Sequence, residues 1–294
     1  MKNTYLSLDT YLKNMYGEKV YKLALDGGMT CPNRDGTCGS RGCIFCSSGG
    51  SGEFATADVD EAIARLKAHG KKIGNRYIAY FQSYTNTYAP EQYLRDLFMP
   101  VITRDDIVGL AIGTRPDCLP EDVLNLLDEL NHIKPIWVEL GLQTIHPESA
   151  AFIRRGYELP VFEKAVADLR SRNIDVVVHL ILGLPGETTE DILDTIRYIN
   201  GRDIQGVKLQ QLYILEGTDL AEMYRRQPEE AVGIRTYSLE EYIGVLQLCI
   251  NELRSDIVIH RLTGDGPKNI LIAPEWSKNK KLVLNTLARN FTRL

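Results

Sequence analysis

The sequence predicts an α/β fold, a partial (β/α)6 barrel of the TIM type with short N- and C-terminal extensions. Three observations predict it. Short runs rich in Val, Ile, Leu and Tyr recur along the 294 residues, and each is followed by helical periodicity. Several of these runs alternate little between apolar and polar residues, as parallel strands covered by helices on one face and a core on the other do. The last four begin about 30 to 40 residues apart, close to the length of one βαβ unit.

The expected strands are 19–26 (KVYKLALD), 76–81 (RYIAYF), 107–113 (IVGLAIG), 136–142 (IWVELGL), 174–182 (IDVVVHLIL) and 206–214 (GVKLQQLYI). Helix starts between them are marked chemically. Pro90, Pro120 and Pro147 each precede an acidic residue, as at a first helical turn, and Thr188 to Asp191 (TTED) has the form of a capping box. Gly156 and Gly201 follow helical stretches and serve as stops. A seventh strand candidate, DIVIH at 256–260, falls at the edge of the barrel or outside it. With no internal repeat, low-complexity tract or linker, the chain reads as a single domain, its core barrel at about 19–235 and a C-terminal extension at about 236–294.

Composition narrows the function. With 44% hydrophobic and 25% charged residues the chain is globular in type. Its apolar stretches are too short to span a bilayer and its first residues hold no apolar signal core, so the expectation is a cytoplasmic protein without a membrane partner. A net charge of −5 argues against a surface coated in basic groups. Two small basic groups remain, Lys71, Lys72 and Arg76, then Lys278, Lys280 and Lys281. They suit phosphates or simply solvated surface. The early tyrosines Tyr5, Tyr11, Tyr16 and Tyr21 are expected to cap the bottom of the barrel.

In a parallel β/α barrel the site lies at the carboxyl ends of the strands. The segments there, GGMTCPNRDG, QSYTNTY, GTRPD, QTIHP, GLPGET and EGTD, carry glycines, hydroxyls, amides and charges. The first leads into CPNRDGTCGSRGCIFC, which packs four of the six cysteines into sixteen residues. In a reducing compartment clustered thiols serve metals or catalysis more often than disulfides. Zinc would favour two tight knuckles, and only Cys43 to Cys46 has C-x-x-C form. A thioredoxin-like pair would open a helix directly after a strand, whereas this one lies far down a glycine-rich loop. Iron–sulfur ligation suits soft thiolates in a loop that can turn its N–H groups toward a negative cluster. Spacing alone leaves all three open, with iron–sulfur the best fit.

These residues resemble the radical S-adenosylmethionine (radical SAM) enzymes, in particular the YhcC/YtqA-like subgroup, through YKLALDGGMTCPNRDG, CIFC and HLILGLPGET. The resemblance covers nearly the whole chain. In this subgroup the three-cysteine signature is stretched to C-x11-C-x2-C. It implies that Cys31, Cys43 and Cys46 hold a 4Fe-4S cluster, that Phe45 shields it, and that the open iron chelates S-adenosylmethionine. Reduction of that cofactor would yield a 5′-deoxyadenosyl radical. Cys38 falls outside the pattern and is expected to be a loop residue, with Cys118 and Cys249 buried and inert.

The resemblance also implies cofactor contacts. Gln82 and Ser83 stand where relatives carry a glycine-rich segment that meets the methionine amino group. Glu139, Gly141 and Gln143 fall on one face of a strand, so an inward carboxylate and amide would need partners, either the cofactor or an internal hydrogen-bond network. Arg154 or Arg155 would pair with the methionine carboxylate. Gly183 would let backbone approach adenine, and Leu212 and Tyr213 would edge the base. Arg115 and Asp117, with His260, Arg261 and Asp265, form a rim where substrate would enter. Distant similarity to wobble-uridine tRNA-modifying enzymes implies tRNA as substrate, its carboxymethylaminomethyl-uridine being converted to aminomethyl-uridine, with an electron donor such as flavodoxin or ferredoxin. A radical SAM oxidoreductase for a small metabolite or tetrapyrrole, and a zinc-binding non-enzymatic module, are the alternatives.

Overall fold

A computed structural model describes residues 3–50, 52–68, 74–226 and 233–293. In chain order its elements are β1 (Asn3–Tyr5), α1 (Leu8–Tyr16), β2 (Tyr21–Leu25), α2 (Val59–Lys67), β3 (Tyr77–Phe81), α3 (Glu91–Ile102), β4 (Ile107–Thr114), α4 (Glu121–Ile133), β5 (Ile136–Gln143), α5 (Pro147–Phe152), α6 (Leu159–Arg170), β6 (Asp175–Leu182), α7 (Thr189–Asn200), β7 (Gly206–Gln211), β8 (Ile214–Leu215), α8 (Asp219–Arg226), α9 (Leu239–Glu252), β9 (Val258–Arg261), β10 (Leu271–Ala273), α10 (Lys280–Asn290) and β11 (Phe291–Arg293). The main sheet runs β2-β3-β4-β5-β6-β7-β9, with parallel pairing throughout. The six expected strands are present, and the 256–260 candidate joins the sheet as its edge strand beside β7.

Strand alternation divides the sheet into two faces. Outward residues such as Leu23, Phe81, Ile112, Val138, Leu140, Val178 and Leu209 form one core with the helices. Inward residues Ile78, Tyr80, Ala111, Trp137 and Val177 pack around Leu12 of α1, with Leu8, Tyr11 and Tyr16 beside it. The sheet is therefore curled, and α1 plugs its lower end. Tyr16 donates to the carbonyl of Val108 at 3.1 Å, which fits the capping role expected of the early tyrosines.

Local chemistry sets the helix ends where expected. Thr188 and Asp191 form a reciprocal capping box at α7, and α3, α4 and α5 begin at or just after Pro90, Pro120 and Pro147. No helix among the described residues is long and apolar enough to cross a membrane.

Because Leu12 is 3% exposed inside the barrel while Met15 on the same helix is 48% exposed, their truncations should separate. We expect Leu12→Ala to lower unfolding free energy by about 2–5 kcal/mol and Met15→Ala to change it by no more than about 0.5 kcal/mol. Urea denaturation of both variants checks this.

Candidate active site

The floor of the site is a charge network inside the curled sheet. The Glu139 side chain is fully buried. Its Oε1 accepts from Lys22 Nζ at 2.8 Å and Trp137 Nε1 at 3.1 Å, and its Oε2 contacts His179 Nε2 at 2.8 Å and Lys208 Nζ. Lys208 also reaches the Tyr80 hydroxyl at 2.9 Å. Lys22 stands on the first strand of the sheet and Lys208 on the sixth. In a flat sheet those strands would lie about 24 Å apart; meeting at one carboxylate requires the curl. Burial alone would push the Glu139 carboxyl up, but the two lysines and His179 hold it well below the usual carboxylate range. Burial drives Lys208 well below the ordinary lysine range, lowers Lys22, and brings His179 down to about 4.

Above this floor stands the cysteine loop. Cys31, Cys43 and Cys46 line one cavity of about 190 Å³ together with Phe45, Gln82, Gly113, Arg115, Gln143, Arg155 and Tyr157. The loop is docked by its own polar residues. Asn33 Nδ2 donates to the carbonyls of Arg154 (2.8 Å) and Arg155 (3.2 Å) and to Cys43 Sγ at 3.5 Å. Arg34 Nη2 donates to the carbonyls of Cys46 and Ser47 at 2.7 and 2.6 Å. Gly156 has a φ of +81° and leaves room for Asn33: a Cβ there would stand 2.5 Å from Asn33 Oδ1. Burial pushes the Cys43 thiol up to about 11 and raises Cys46, with Asn33 and Arg34 opposing it.

The donor set fits an iron–sulfur cube. All six cysteines are free, and three of them, Cys31, Cys43 and Cys46, share this wall. Among the described residues no three His, Cys, Asp or Glu side chains converge on a point that would hold a single ion. Cys38 is exposed and faces a different, mostly apolar cavity with Pro32, Tyr88 and Leu119. Cys118 and Cys249 are buried.

The structure distributes the other expected residues unevenly. Gln82, Gln143, Arg155 and Arg115 line the cysteine cavity, and the buried Gln143 Oε1 has no hydrogen-bond partner among the described residues. Glu139 lies beneath the same cavity, but of its two readings the internal network is the one drawn. Four of the expected residues lie elsewhere than beside the cysteine cavity. The Arg154 side chain pairs with Asp219 at the start of α8, while its carbonyl accepts from Asn33. Ser83 is fully buried against Gly52 and lines neither this cavity nor the larger one beside it. Gly183 does adopt a φ of +84°, but the flat ring beside it is Tyr237, 2.7 Å from where a Cβ would stand. Asp117 forms a fork with Arg115 at 2.9 and 2.6 Å and faces the apolar cavity of Cys38. Leu212, Tyr213, His260, Arg261 and Asp265 border a second cavity of about 750 Å³, which shares Phe45, Tyr80, Gln82, Lys208, Gln210 and Arg261 with the first. Lys71 and Lys72 lie outside the described residues.

Lys22, Lys208, His179, Asn33 and Arg34 were not expected as functional residues. The available signal was a lysine at an inward position of an otherwise apolar strand, in YKLAL and in GVKLQQ, each a charge that burial obliges to find a partner.

Comparison with known proteins places this geometry. A model of the radical SAM superfamily matches residues 36–199, and a radical SAM C-terminal domain matches residues 204–293. The chain belongs to the radical SAM superfamily, whose members use a 4Fe-4S cluster and S-adenosylmethionine. It is 41% identical over 288 residues to the Bacillus subtilis protein YtqA, covering 96% of this chain and 88% of that one. To Escherichia coli YhcC it is 38% identical over 274 residues, covering 92% and 86%. A tRNA uridine(34) acetyltransferase of Methanocaldococcus jannaschii is 34% identical over 140 residues, 45% of this chain and 25% of that one. Among solved structures, Elp3 of Methanocaldococcus infernus shares the fold with a TM-score of 0.67 at 20% identity, covering 92% of this chain and 63% of that one.

Two outcomes follow from the floor network. Glu139→Leu leaves the buried Lys208 and the partly buried Lys22 without their counter-charge, and should destabilise the protein by about 3–5 kcal/mol at neutral pH, read from the urea midpoint. His179 is held neutral in the fold while its unfolded form titrates near 6.5. The unfolded state then binds more protons as pH falls from 6.5 toward 4, so stability should decline across that window, and His179→Gln should remove part of the slope in a pH series of denaturation curves.

Proposed function

We propose that this chain is a radical SAM enzyme that acts on tRNA, converting carboxymethylaminomethyl-uridine at the wobble position to aminomethyl-uridine. The observation that carries the chemistry is the meeting of Cys31, Cys43 and Cys46 on one cavity wall at the carboxyl ends of the barrel strands. When bound, a 4Fe-4S cluster supplies the one-electron reduction that splits S-adenosylmethionine into methionine and a radical able to abstract hydrogen. In this reading the three cysteines ligate the cluster, Phe45 screens it from the second cavity, and Gln82 and Gln143 offer amides to the cofactor's polar groups. Arg155 is spent on the carbonyls of Leu142 and Thr144 and on that of Tyr157, so it shapes the wall. Arg34 and Arg115 bring positive charge to the thiols, which favours the thiolate that iron needs.

The substrate reading is supported by the likeness to a tRNA uridine(34) acetyltransferase over 45% of the chain, with the fold shared with Elp3 as background. The chain works as one domain in this reading, with the barrel at about 19–235 and the extension from 236 closing its open side. An electron donor of the flavodoxin or ferredoxin kind completes it.

The test combines two measurements. Anaerobic reconstitution with iron and sulfide should load the wild type and Cys38→Ala alike. Cys31→Ala, Cys43→Ala and Cys46→Ala should each lose S-adenosylmethionine cleavage by more than the roughly 10- to 100-fold that changes beyond the ligands cost. Incubation of the loaded protein with S-adenosylmethionine, a strong reductant and tRNA bearing carboxymethylaminomethyl-uridine should release aminomethyl-uridine by nucleoside mass. Cofactor cleavage with no change in that nucleoside would reject the tRNA reading and leave a small-molecule substrate; zinc bound in place of iron would reject the radical reading altogether.

A further inference from the structure

The second cavity carries more positive charge than the protein neutralises. Its base is formed by Lys22, Lys208 and Arg261, from strands β2, β7 and β9. Glu139, the carboxylate beneath them, is engaged by Lys22 and Lys208. Sheet register sets Lys208 beside Arg261, and Lys208 has its counter-charge in Glu139 whereas Arg261 does not. Among the described residues no carboxylate pairs with Arg261. The acidic residues at the rim do not reach Arg261: Asp265 pairs with Lys280 at 2.9 Å, and Glu53 accepts from the neutral Ser47 hydroxyl.

Two further polar groups bordering the cavity are buried and unpartnered among the described residues. They are Nδ1 of His260 and both ends of the Gln211 amide, on a residue only 2% exposed. Apolar and aromatic groups, Phe45, Phe54, Leu212, Tyr213 and Leu215, make one part of the wall, and Ser47, Lys268 and Asn269 add polar groups to it. A cationic base with unmet hydrogen-bonding groups beside a partly apolar wall matches a ligand with a flat or apolar body and one anionic end.

We propose that this cavity is the substrate site and that Arg261 anchors a carboxylate on the substrate, with Lys208 and Lys22 behind it. The proposal rests on the reading of the cysteine cavity as the place of cofactor chemistry, and adds the chemical class of the molecule beside it. A planar guanidinium suits the task because it can hold both carboxylate oxygens at once. The junction position of Arg261, on both cavities, gives that chemistry two sources, the substrate or the methionine carboxylate of the cofactor, and the test separates them.

Calorimetric titration of the full chain, reconstituted with iron and sulfide, would use four probes and S-adenosylmethionine. The carboxylate probes are 5-carboxymethylaminomethyluridine and phenylacetate; 5-aminomethyluridine and phenylacetamide lack the carboxylate. We expect Arg261→Gln to weaken a carboxylate probe by about tenfold or more, with the carboxylate-free probes and S-adenosylmethionine unchanged. Arg261→Lys should lose less, since it keeps the charge and gives up only the fork, and it carries the test if the neutral variant does not fold. Failure of both carboxylate probes to bind the wild type, or equal binding by the variants, would overturn the proposal. So would weakening of S-adenosylmethionine instead, which assigns Arg261 to the cofactor. Arg261-dependent binding of phenylacetate alone would uphold the anion site while removing wobble uridine as its occupant. Failure to take up iron would reject the cluster and leave the binding result readable.

Discussion

The carboxylate of Glu139 is the interaction on which the interior depends. Burying one charge is unfavourable; burying Glu139 with Lys208 is tolerable because Lys208 and the partly buried Lys22 each take one of its oxygens, and the remaining lone pairs are met by Trp137 and His179. The same contacts tie strands that are far apart in the sheet, so the network acts as a polar clasp on the curl. Hydrophobic packing around Leu12 fills the space below it, and the two cavities open above it. A purely apolar interior would close the barrel as well, but it would not leave a charged floor under a site that handles polar molecules.

The cysteine loop achieves order without regular secondary structure. Its hold comes from side chains that satisfy backbone carbonyls across the barrel mouth, Asn33 on the segment after β5 and Arg34 on its own far end. Tyr157 lies between the guanidinium groups of Arg115 and Arg155, 5.4 and 4.5 Å from their carbons, and its hydroxyl donates to the carbonyl of Gly141. The wall opposite the thiols is thereby stiffened by charge–ring contact and backbone hydrogen bonds together.

Much of the architecture was legible because strand periodicity and spacing are local signals. All six expected barrel strands formed, and the capping box at Thr188 is a four-residue pattern with a single geometric outcome. The cysteines were legible for the same reason: their spacing lies within one loop. What escaped was non-local. Nothing near Glu139 in the chain names Lys22 or Lys208, which arrive from 117 and 69 residues away. Arg154 and Arg155 are neighbours with opposite fates, one paired at the surface with Asp219 and one buried on the wall, because the loop that carries them follows a short helix whose exit direction no local pattern specifies. Gly183 was expected to let backbone approach adenine, and the ring it meets in the fold is that of Tyr237, from a segment more than fifty residues away.

The division of labour between the sheet's two ends has an evolutionary reading. The thiols and the amides beside them come from the first half of the chain, whereas β7, β9 and the 264–280 segment that walls the larger cavity come from the last third. The two family matches part between residues 199 and 204, just ahead of β7. On the proposed reading, a lineage could redraw what it accepts by remodelling the carboxyl-terminal portion while keeping the cysteine loop. The two portions still meet, since Phe45, Gln82, Lys208 and Arg261 border both cavities.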